Sequence, residues 1–444
     1  MITREDNEIL TRVGPGTPMG KMMRRYWLPV CASSQLPTPD CDPLRVRMLG
    51  ENYVAFRNSD GLVGVLDEYC MHRRASLAIG RVEDGGIRCL YHGWKFGVDG
   101  AILETPNHCD ERFRARQKAP AYRVREAGGL VWAYFGPKDK EPVFQHYGFF
   151  DGAEENRVVL RMNTPANYLQ MWEGGCDSSH VAILHSNRAN PAWKDKAFEA
   201  VTDEDYNPGA ISVSDNAPAL ECENTEYGFH YAAKRSGATL ADGSPAHSIR
   251  VTPVMMPAGR IIPAPAFQFY VFEIPQDDHK TSTYLICHGE KAVDREDIKR
   301  IMGLDNPRFW REEDCEFRAN WDDRLGQDRS MMHENWSGFA GIEQEDAIIS
   351  ISMGPIVERH KEVLVAADAA VVRLRERLLE SVRRNEAGLD PLGLAIADYR
   401  PVRALCDTIV PAGSRWQEQV PGNMGKSQRK SELDETTKSM APVG

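Results

Sequence analysis

The chain lacks a long apolar run: nowhere in its 444 residues does an apolar stretch approach the roughly eighteen needed to span a membrane as a helix. Its first residues, Met1-Ile2-Thr3-Arg4-Glu5-Asp6-Asn7-Glu8, are acidic and polar with no apolar segment behind them, unlike a secretory leader. A cytoplasmic protein is therefore expected. Positive charge is also scarce, with 54 Lys and Arg against 65 Asp and Glu and a formal charge of -11. That balance argues against nucleic acid or an anionic membrane as partner. No strand–GxGxxG–helix unit occurs; Gly14-Pro15-Gly16 with Gly20 is broken by proline and follows no strand. A flavin or nicotinamide domain is not expected, so electrons for any redox chemistry must come from a separate protein. No internal repeat is found. Cysteine is sparse too, and Cys31, Cys41, Cys109, Cys176, Cys222, Cys287, Cys315 and Cys406 stand alone. In a reducing compartment such residues are small hydrophobes or surface thiols, not bridges.

What remains is an ordinary globular composition, 42% hydrophobic and 27% charged. The length exceeds the range of about 250–300 residues over which one core grows, so two domains are expected. Residues 1–40 read as a docking segment, with a short helix over 19–26 after the turn-rich Gly14-Pro15-Gly16-Thr17-Pro18. Residues 41–140 read as strands: Leu44-Arg45-Val46-Arg47-Met48 alternates, and Leu130-Val131-Trp132-Ala133-Tyr134-Phe135 is β-branched and aromatic. A linker is expected over 137–142. In the second domain, 141–415, one helix is expected over 163–185 and antiparallel strands over 209–233, 247–256, 265–275 and 281–289. An amphipathic helix over 369–384 places Val372, Leu374, Leu378, Leu379 and Val382 together. Residues 416–444 read as a flexible polar tail.

Two cysteines have histidine close behind. Cys70-Met71-His72 is followed after sixteen residues by Cys89-Leu90-Tyr91-His92. Two thiolates suit one iron of an iron–sulfur cluster and two neutral imidazoles the other, and replacing thiolates by imidazoles raises the reduction potential. The alternative is a structural zinc knuckle, which groups its cysteines first and its histidines after, whereas each pair here is mixed. With their neighbours, Cys70-Met71-His72-Arg73 and Cys89-Leu90-Tyr91-His92-Gly93-Trp94 resemble the signature of Rieske non-heme iron oxygenases. Met71 stands where that family usually carries proline.

A second constellation lies in Asp177-Ser178-Ser179-His180 and His185. Alone, Asp-x-x-His followed by a second histidine is a moderate signal, since a helix histidine is often only a satisfied polar residue. Five residues do not repeat on one helical face, so a distortion or helix end near Ile183 is expected. Asp177 falls three residues before His180, and on a helix the two would share a face. A carboxylate there can hydrogen-bond a metal-bound imidazole; Glu173, one turn earlier, is either another such partner or a surface or capping residue. The resemblance implies that His180 and His185 hold a mononuclear Fe(II) with Asp346 of Gln344-Glu345-Asp346-Ala347, Glu345 being the reserve. It also implies that Asp177 links His92 of one subunit to the iron ligands of the next, within a head-to-tail homotrimer or stacked trimers.

The segments Gly14-Pro15-Gly16-Thr17-Pro18-Met19-Gly20 and Arg25-Tyr26-Trp27-Leu28-Pro29 resemble the start of the phthalate dioxygenase group. The likeness covers roughly residues 5–410. It implies an α+β fold: an N-terminal Rieske [2Fe-2S] β-sandwich domain, then a helix-grip, START-like catalytic domain with an antiparallel sheet. It implies a terminal oxygenase that uses O2 and a separate NAD(P)H-dependent reductase, carrying flavin or iron–sulfur, to dihydroxylate an aromatic carboxylate; O-demethylation of an aryl ether is the alternative. Arg250 matches a substrate-binding arginine of that group, though an exposed strand charge is the plain alternative, and Ser178 offers a hydroxyl. Asn207-Pro208 aligns where phthalate-type members place a second arginine, which favours a monoanionic or meta/para-substituted benzoate.

Overall fold

The computed structural model describes residues 2–185, 217–264, 266–333 and 335–418. Thr3 and Thr17 open two short helices, α1 (Arg4–Thr11) and α2 (Pro18–Met23), their hydroxyls accepting from the Asp6 and Gly20 amides. The acidic N-terminus thus forms a helix whose first-turn Glu5 and Asp6 complement its dipole. The second helix is shorter than the expected 19–26 because the chain becomes strand at Trp27.

β1 (Trp27–Ala32) begins a strand-rich region. It continues through β2 (Leu44–Met48), β3 (Glu51–Arg57), β4 (Val63–Asp67), β5 (Arg81–Glu83), β6 (Gly86–Arg88), β7 (Lys95–Phe96) and β8 (Ile102–Glu104). After α3 (Glu111–Arg116) come β9 (Arg123–Ala127) and β10 (Leu130–Tyr134). Three antiparallel sheets result, ordered β1-β10-β9, β2-β3-β4 and β5-β6-β7-β8. Every residue of β1 and β10 is buried.

The second region is built on one antiparallel sheet. β11 (Arg157–Thr164) leads into α4 (Tyr168–Gly174); after it come β12 (Ala219–Thr225), β13 (Gly228–Thr239), β14 (Pro245–Met255), β15 (Gly259–Pro263), β16 (Gln268–Asp277) and β17 (Lys280–His288). The order is β11-β17-β16-β15-β14-β13-β12, and β18 (Leu405–Pro411) pairs with β14. Helices α5 (Arg295–Met302), α6 (Ile342–Ser352) and α7 (Ala369–Glu386) complete it. The central helix α4 buries Tyr168, Leu169, Gln170, Met171 and Trp172. Gln170 donates to the Ser350 and Gly354 carbonyls at 2.8 and 3.0 Å, which docks α6 beside α4. The two regions are joined by Arg47–Asp277 at 2.7 Å and by the Leu49 and Gly50 amides bonding the Pro275 and Gln276 carbonyls. The expected α+β architecture, a strand-rich N-terminal domain before an antiparallel catalytic sheet gripping a helix, is what the chain adopts.

Several expected elements are corrected. Residues 163–185 are not one helix: Asn163 and Thr164 end β11, Asn167 caps α4, and the helix stops at Gly174-Gly175. Two glycines weaken a helix there, and Asp177 Oδ1 accepts from the Ser179 and His180 amides and from the Ser179 hydroxyl, closing a local turn instead. The 209–233 strand is two strands, β12 and β13, joined at Glu226-Tyr227; residues 209–216 lie outside the described residues. β15 was not anticipated, whereas the stretches 247–256, 281–289 and 369–384 fall on β14, β17 and α7. The tail from 419 onward lies outside the described residues. Among the described residues no helix is long and apolar enough to cross a membrane.

Candidate metal centres

Cys70 and His72 sit in the loop after β4, and Cys89 and His92 in the loop between β6 and β7. The loops share one turn. The Arg74 amide bonds the Cys70 carbonyl at 2.9 Å, and the Gly93 amide bonds the Cys89 carbonyl at 3.0 Å. The fifth residue of each is left-handed, Arg74 at φ 62° and Gly93 at φ 73°, a conformation natural to glycine and strained for arginine. Both thiols are buried, and the His72 and His92 ring centroids lie 4.5 Å apart. His72 stacks on Trp94 at 4.7 Å, and the Trp94 indole is held by Asn107 at 2.7 Å. Burial and the neighbouring Cys89 push the Cys70 thiol up to about 11, and His92 Nδ1 is buried without a hydrogen-bond partner. Two buried thiols side by side, the Cys70 thiol resisting ionisation, and an orphaned ring nitrogen suit an iron–sulfur group, whose positive charge would offset the burial of thiolates. Leu90 and Tyr91, beside them, are exposed.

The second centre gathers residues from either side of the α4–α6 contact. His180 opens a single 3-10 turn (His180–Ala182) after α4, His185 follows it, and Asp346 lies on α6. Three donor atoms converge: His180 Nε2 and His185 Nε2 are 3.2 Å apart, and Asp346 Oδ1 lies 3.6 and 3.3 Å from them. Bonds of about 2.1 Å at right angles to one ion would separate donors by about 3 Å. Among the described residues these three form the one group of His, Cys, Asp or Glu spaced to hold a metal. Burial lowers His185, but Asp346 and Glu345 facing it outweigh that and raise it to about 10. A place that favours a proton so strongly is charged to hold a cation.

Behind each imidazole stands a carboxylate. Asp177 Oδ2 lies 3.7 Å from His180 Nδ1, while Asp177 Oδ1 accepts from the Ser179 amide, the Ser179 hydroxyl and the His180 amide at 2.8, 2.6 and 3.4 Å. The aspartate thus faces His180 through a turn, not through the shared helix face expected from its spacing. Burial would raise it, yet bonds from His180 and Ser179 hold it at about 2. Glu345 Oε2 lies 2.7 Å from His185 Nδ1, so the reserve candidate faces the ring nitrogen remote from the donor cluster.

Other predicted residues fall in different settings. Ser178 is buried, and its carbonyl accepts from Arg235 Nη2 at 2.9 Å. Arg250 is half-buried on β14 and donates to the Pro263 carbonyl at 2.7 Å. Glu173 is engaged by arginines. It takes Arg359 at 2.9 Å and Arg375 at 2.6 Å, clamping α4 to α7 and the segment before it. Residues 207–208 lie outside the described residues. The sequence reading missed Arg235, which secures the Asp177–Ser178 turn, and the buried pair Arg260–Glu273 at 2.9 Å. Their only signal was charge within otherwise apolar strands.

The Rieske [2Fe-2S] domain family matches residues 26–117, and the family described as LigXa C-terminal domain like matches 133–439. The chain belongs to the Rieske oxygenases. Over 402 residues, 88% of this chain and 89% of the relative, it is 37% identical to the phthalate 4,5-dioxygenase oxygenase subunit of Pseudomonas putida. It is 31% identical to the 3-chlorobenzoate-3,4-dioxygenase oxygenase subunit of Comamonas testosteroni, covering 90% of this chain and 93% of that one. The 5,5'-dehydrodivanillate O-demethylase oxygenase subunit of a Sphingobium strain matches 42% of this chain and 44% of its own length at 40% identity. Solved structures share the fold. Pseudomonas putida NdmA (a mutant with theobromine) has a TM-score of 0.55 at 17% identity, covering 89% of this chain and 99% of that one. The terminal oxygenase of carbazole 1,9a-dioxygenase from Nocardioides aromaticivorans has a TM-score of 0.55 at 17% identity, covering 85% and 97%. This Rieske oxygenase is therefore an oxidoreductase of the aromatic dioxygenase and demethylase type, with a [2Fe-2S] Rieske cluster and a mononuclear iron. Zinc at the first centre is set aside.

Proposed function

We propose that this Rieske oxygenase is the terminal component of a system that draws electrons from a separate NAD(P)H-dependent reductase and dihydroxylates an aromatic carboxylate. Arene, O2, two electrons and two protons give one cis-dihydrodiol, so both oxygen atoms enter the ring. Cys70, His72, Cys89 and His92 hold the cluster, and His180, His185 and Asp346 hold Fe(II). The bound iron supplies the activation of O2. The observation that carries the reading is the convergence of two Nε2 atoms and one carboxylate oxygen within 3.2–3.6 Å, which leaves part of the coordination sphere for O2.

Asp177 is the electron link. Its side chain is 27% exposed behind His180, and in a head-to-tail homotrimer His92 of a neighbouring subunit would reach it from outside. Residues 1–40 serve as docking segment, 41–140 as cluster domain and 141–415 as iron domain. Support for an aryl carboxylate comes from the 37% relative. Arg250 would bind the carboxylate as a charge-assisted pair, and Ser178, next to Asp177 in the chain, would add a hydroxyl.

O-demethylation is the second reading, favoured by the 40% identity to the demethylase subunit over 197 residues. There, one oxygen atom leaves as water and the methyl group as formaldehyde. Oxygen uptake with a panel of substituted and methoxylated benzoates, a generic NADH reductase and 18O2 tests both. Two 18O atoms in the product support dioxygenation, formaldehyde with one supports demethylation, and no substrate-dependent uptake across the panel contradicts both.

A further inference from the structure

Two carboxylates stand behind the two histidines in unlike surroundings. Asp177, behind His180, is partly exposed and can be approached from another molecule. Glu345, behind His185, has a side chain 1% exposed, and the His185 side chain is 6% exposed. Nothing outside the subunit can touch Glu345, so the electron-transfer role argued for Asp177 is closed to it. Its geometry is nonetheless the tighter of the two, 2.7 Å from His185 Nδ1 against 3.7 Å for Asp177 and His180 Nδ1.

Glu345 is itself held. The Ser337 hydroxyl donates to Glu345 Oε1, and Ser337 Oγ accepts the Phe339 amide at 3.1 Å. A hydroxyl has one proton. With the Phe339 amide occupying a lone pair, that proton goes to Glu345. The carboxylate sits in the first turn of α6, where the helix dipole favours negative charge. Both its oxygens are therefore committed, one to Ser337 and one to His185. His185 is left with Nδ1 protonated and Nε2 as the electron-pair donor, and Nε2 is the atom that meets His180 and Asp346.

We propose that Glu345, anchored by Ser337, is a positioning residue for the iron: it fixes the tautomer and ring orientation of His185 and supplies a further negative charge beside the metal. The inference rests on the iron reading above. Fe(II) with Asp346 and two neutral imidazoles would carry one net positive charge; Asp177 faces it from behind His180, and Glu345 from behind His185 at the shorter distance. Asp177 and Glu345 then divide the work, one serving electron entry and the other the metal's affinity and electronic structure.

The test uses the full-length protein carrying its cluster, with variants Glu345→Ala, Glu345→Gln and Ser337→Ala. Two readouts are taken: competition of a ferrous chelator for the non-cluster iron, and the EPR signal of the Fe(II)–nitric oxide adduct. The Rieske EPR signal is the control for folding. Glu345→Ala should weaken iron binding by about 10- to 100-fold and change the rhombicity of the nitric oxide signal. Glu345→Gln, which keeps an acceptor for Nδ1–H but loses the charge, should fall between alanine and wild type. Ser337→Ala should move both readouts in the same direction by less, and it carries the test with Glu345→Gln if the alanine variant does not fold. Wild-type affinity and an unchanged nitric oxide signal in Glu345→Gln and Ser337→Ala would overturn the proposal. A wild-type protein that takes up no non-cluster iron would instead overturn the iron reading itself.

Discussion

Gly174 and Gly175 are adjacent and should respond in opposite ways to one methyl group. At Gly174 an added Cβ meets nothing within 4 Å. As the last residue of α4 it should tolerate alanine, with a gain of up to about 1 kcal/mol from helix propensity. At Gly175 the same Cβ would lie 1.8 Å from Arg260 Nε, 2.2 Å from Cζ and 2.6 Å from Cδ. Those are the middle of the arginine side chain, so rotating its end away does not relieve the clash. Arg260 is 3% exposed and pairs with fully buried Glu273 at 2.9 Å. Displacing it leaves a buried carboxylate without its cation, a loss of about 3–5 kcal/mol. Equilibrium urea unfolding followed by tryptophan fluorescence gives both values, with the visible absorbance of the cluster reporting the N-terminal domain separately. Gly175→Ala should shift the fluorescence transition and leave the cluster's absorbance unchanged in the folded protein. Equal midpoints for the two variants would refute the placement of Arg260 beneath α4.

Three further outcomes are expected. Asp177→Asn should retain both metal groups by iron analysis while substrate-dependent oxygen uptake falls on the order of 100-fold; full turnover would remove Asp177 from the electron path. Removing the non-cluster iron with a ferrous chelator should abolish turnover without altering the cluster's visible spectrum, and Fe(II) should restore it; activity that survives the chelator would count against an iron oxygenase. In the iron-free protein, burial with Asp346 and Glu273 nearby raises Glu343 from 4.5 to about 8. The folded state then keeps a proton that the unfolded chain releases above about 4.5, so this group's stabilisation is lost as pH rises through about 8. Urea midpoints measured across that window should slope less in Glu343→Gln than in wild type, and identical slopes would rule out a protonated Glu343.

The cluster loops were legible in the sequence because their chemistry is local. Cys70 and His72, like Cys89 and His92, are neighbours in the chain, and each pair needs only its own turn to present its donors. The strands around them carry alternation and turn residues that declare themselves within a few positions. The iron site was legible in residue type but not in local form. Histidines spaced by five suggested a broken helix, yet the break comes at Gly174-Gly175, before either histidine, because the Asp177–Ser179 turn outcompetes helical bonding. Asp346 required a partner from more than 160 residues away, which only family resemblance could register. Glu173 illustrates the limit. Its role depends on Arg359 and Arg375, brought to it by the docking of α7 and the segment before it, and no window around Glu173 contains that information. Glu345 was singled out as acid beside the ligand position, but its bond to His185 and its anchor on Ser337 are tertiary.

The central claim is that one chain holds two iron centres on separate donor sets. Iron and acid-labile sulfide analysis of purified wild type, alongside His180→Ala and Cys89→Ala, tests it most directly. The account predicts about three irons and about two sulfides per wild-type chain. His180→Ala should lose only the iron outside the cluster, and Cys89→Ala only the cluster. Loss of sulfide in His180→Ala, or wild-type protein with iron and sulfide in equal amounts, would contradict it.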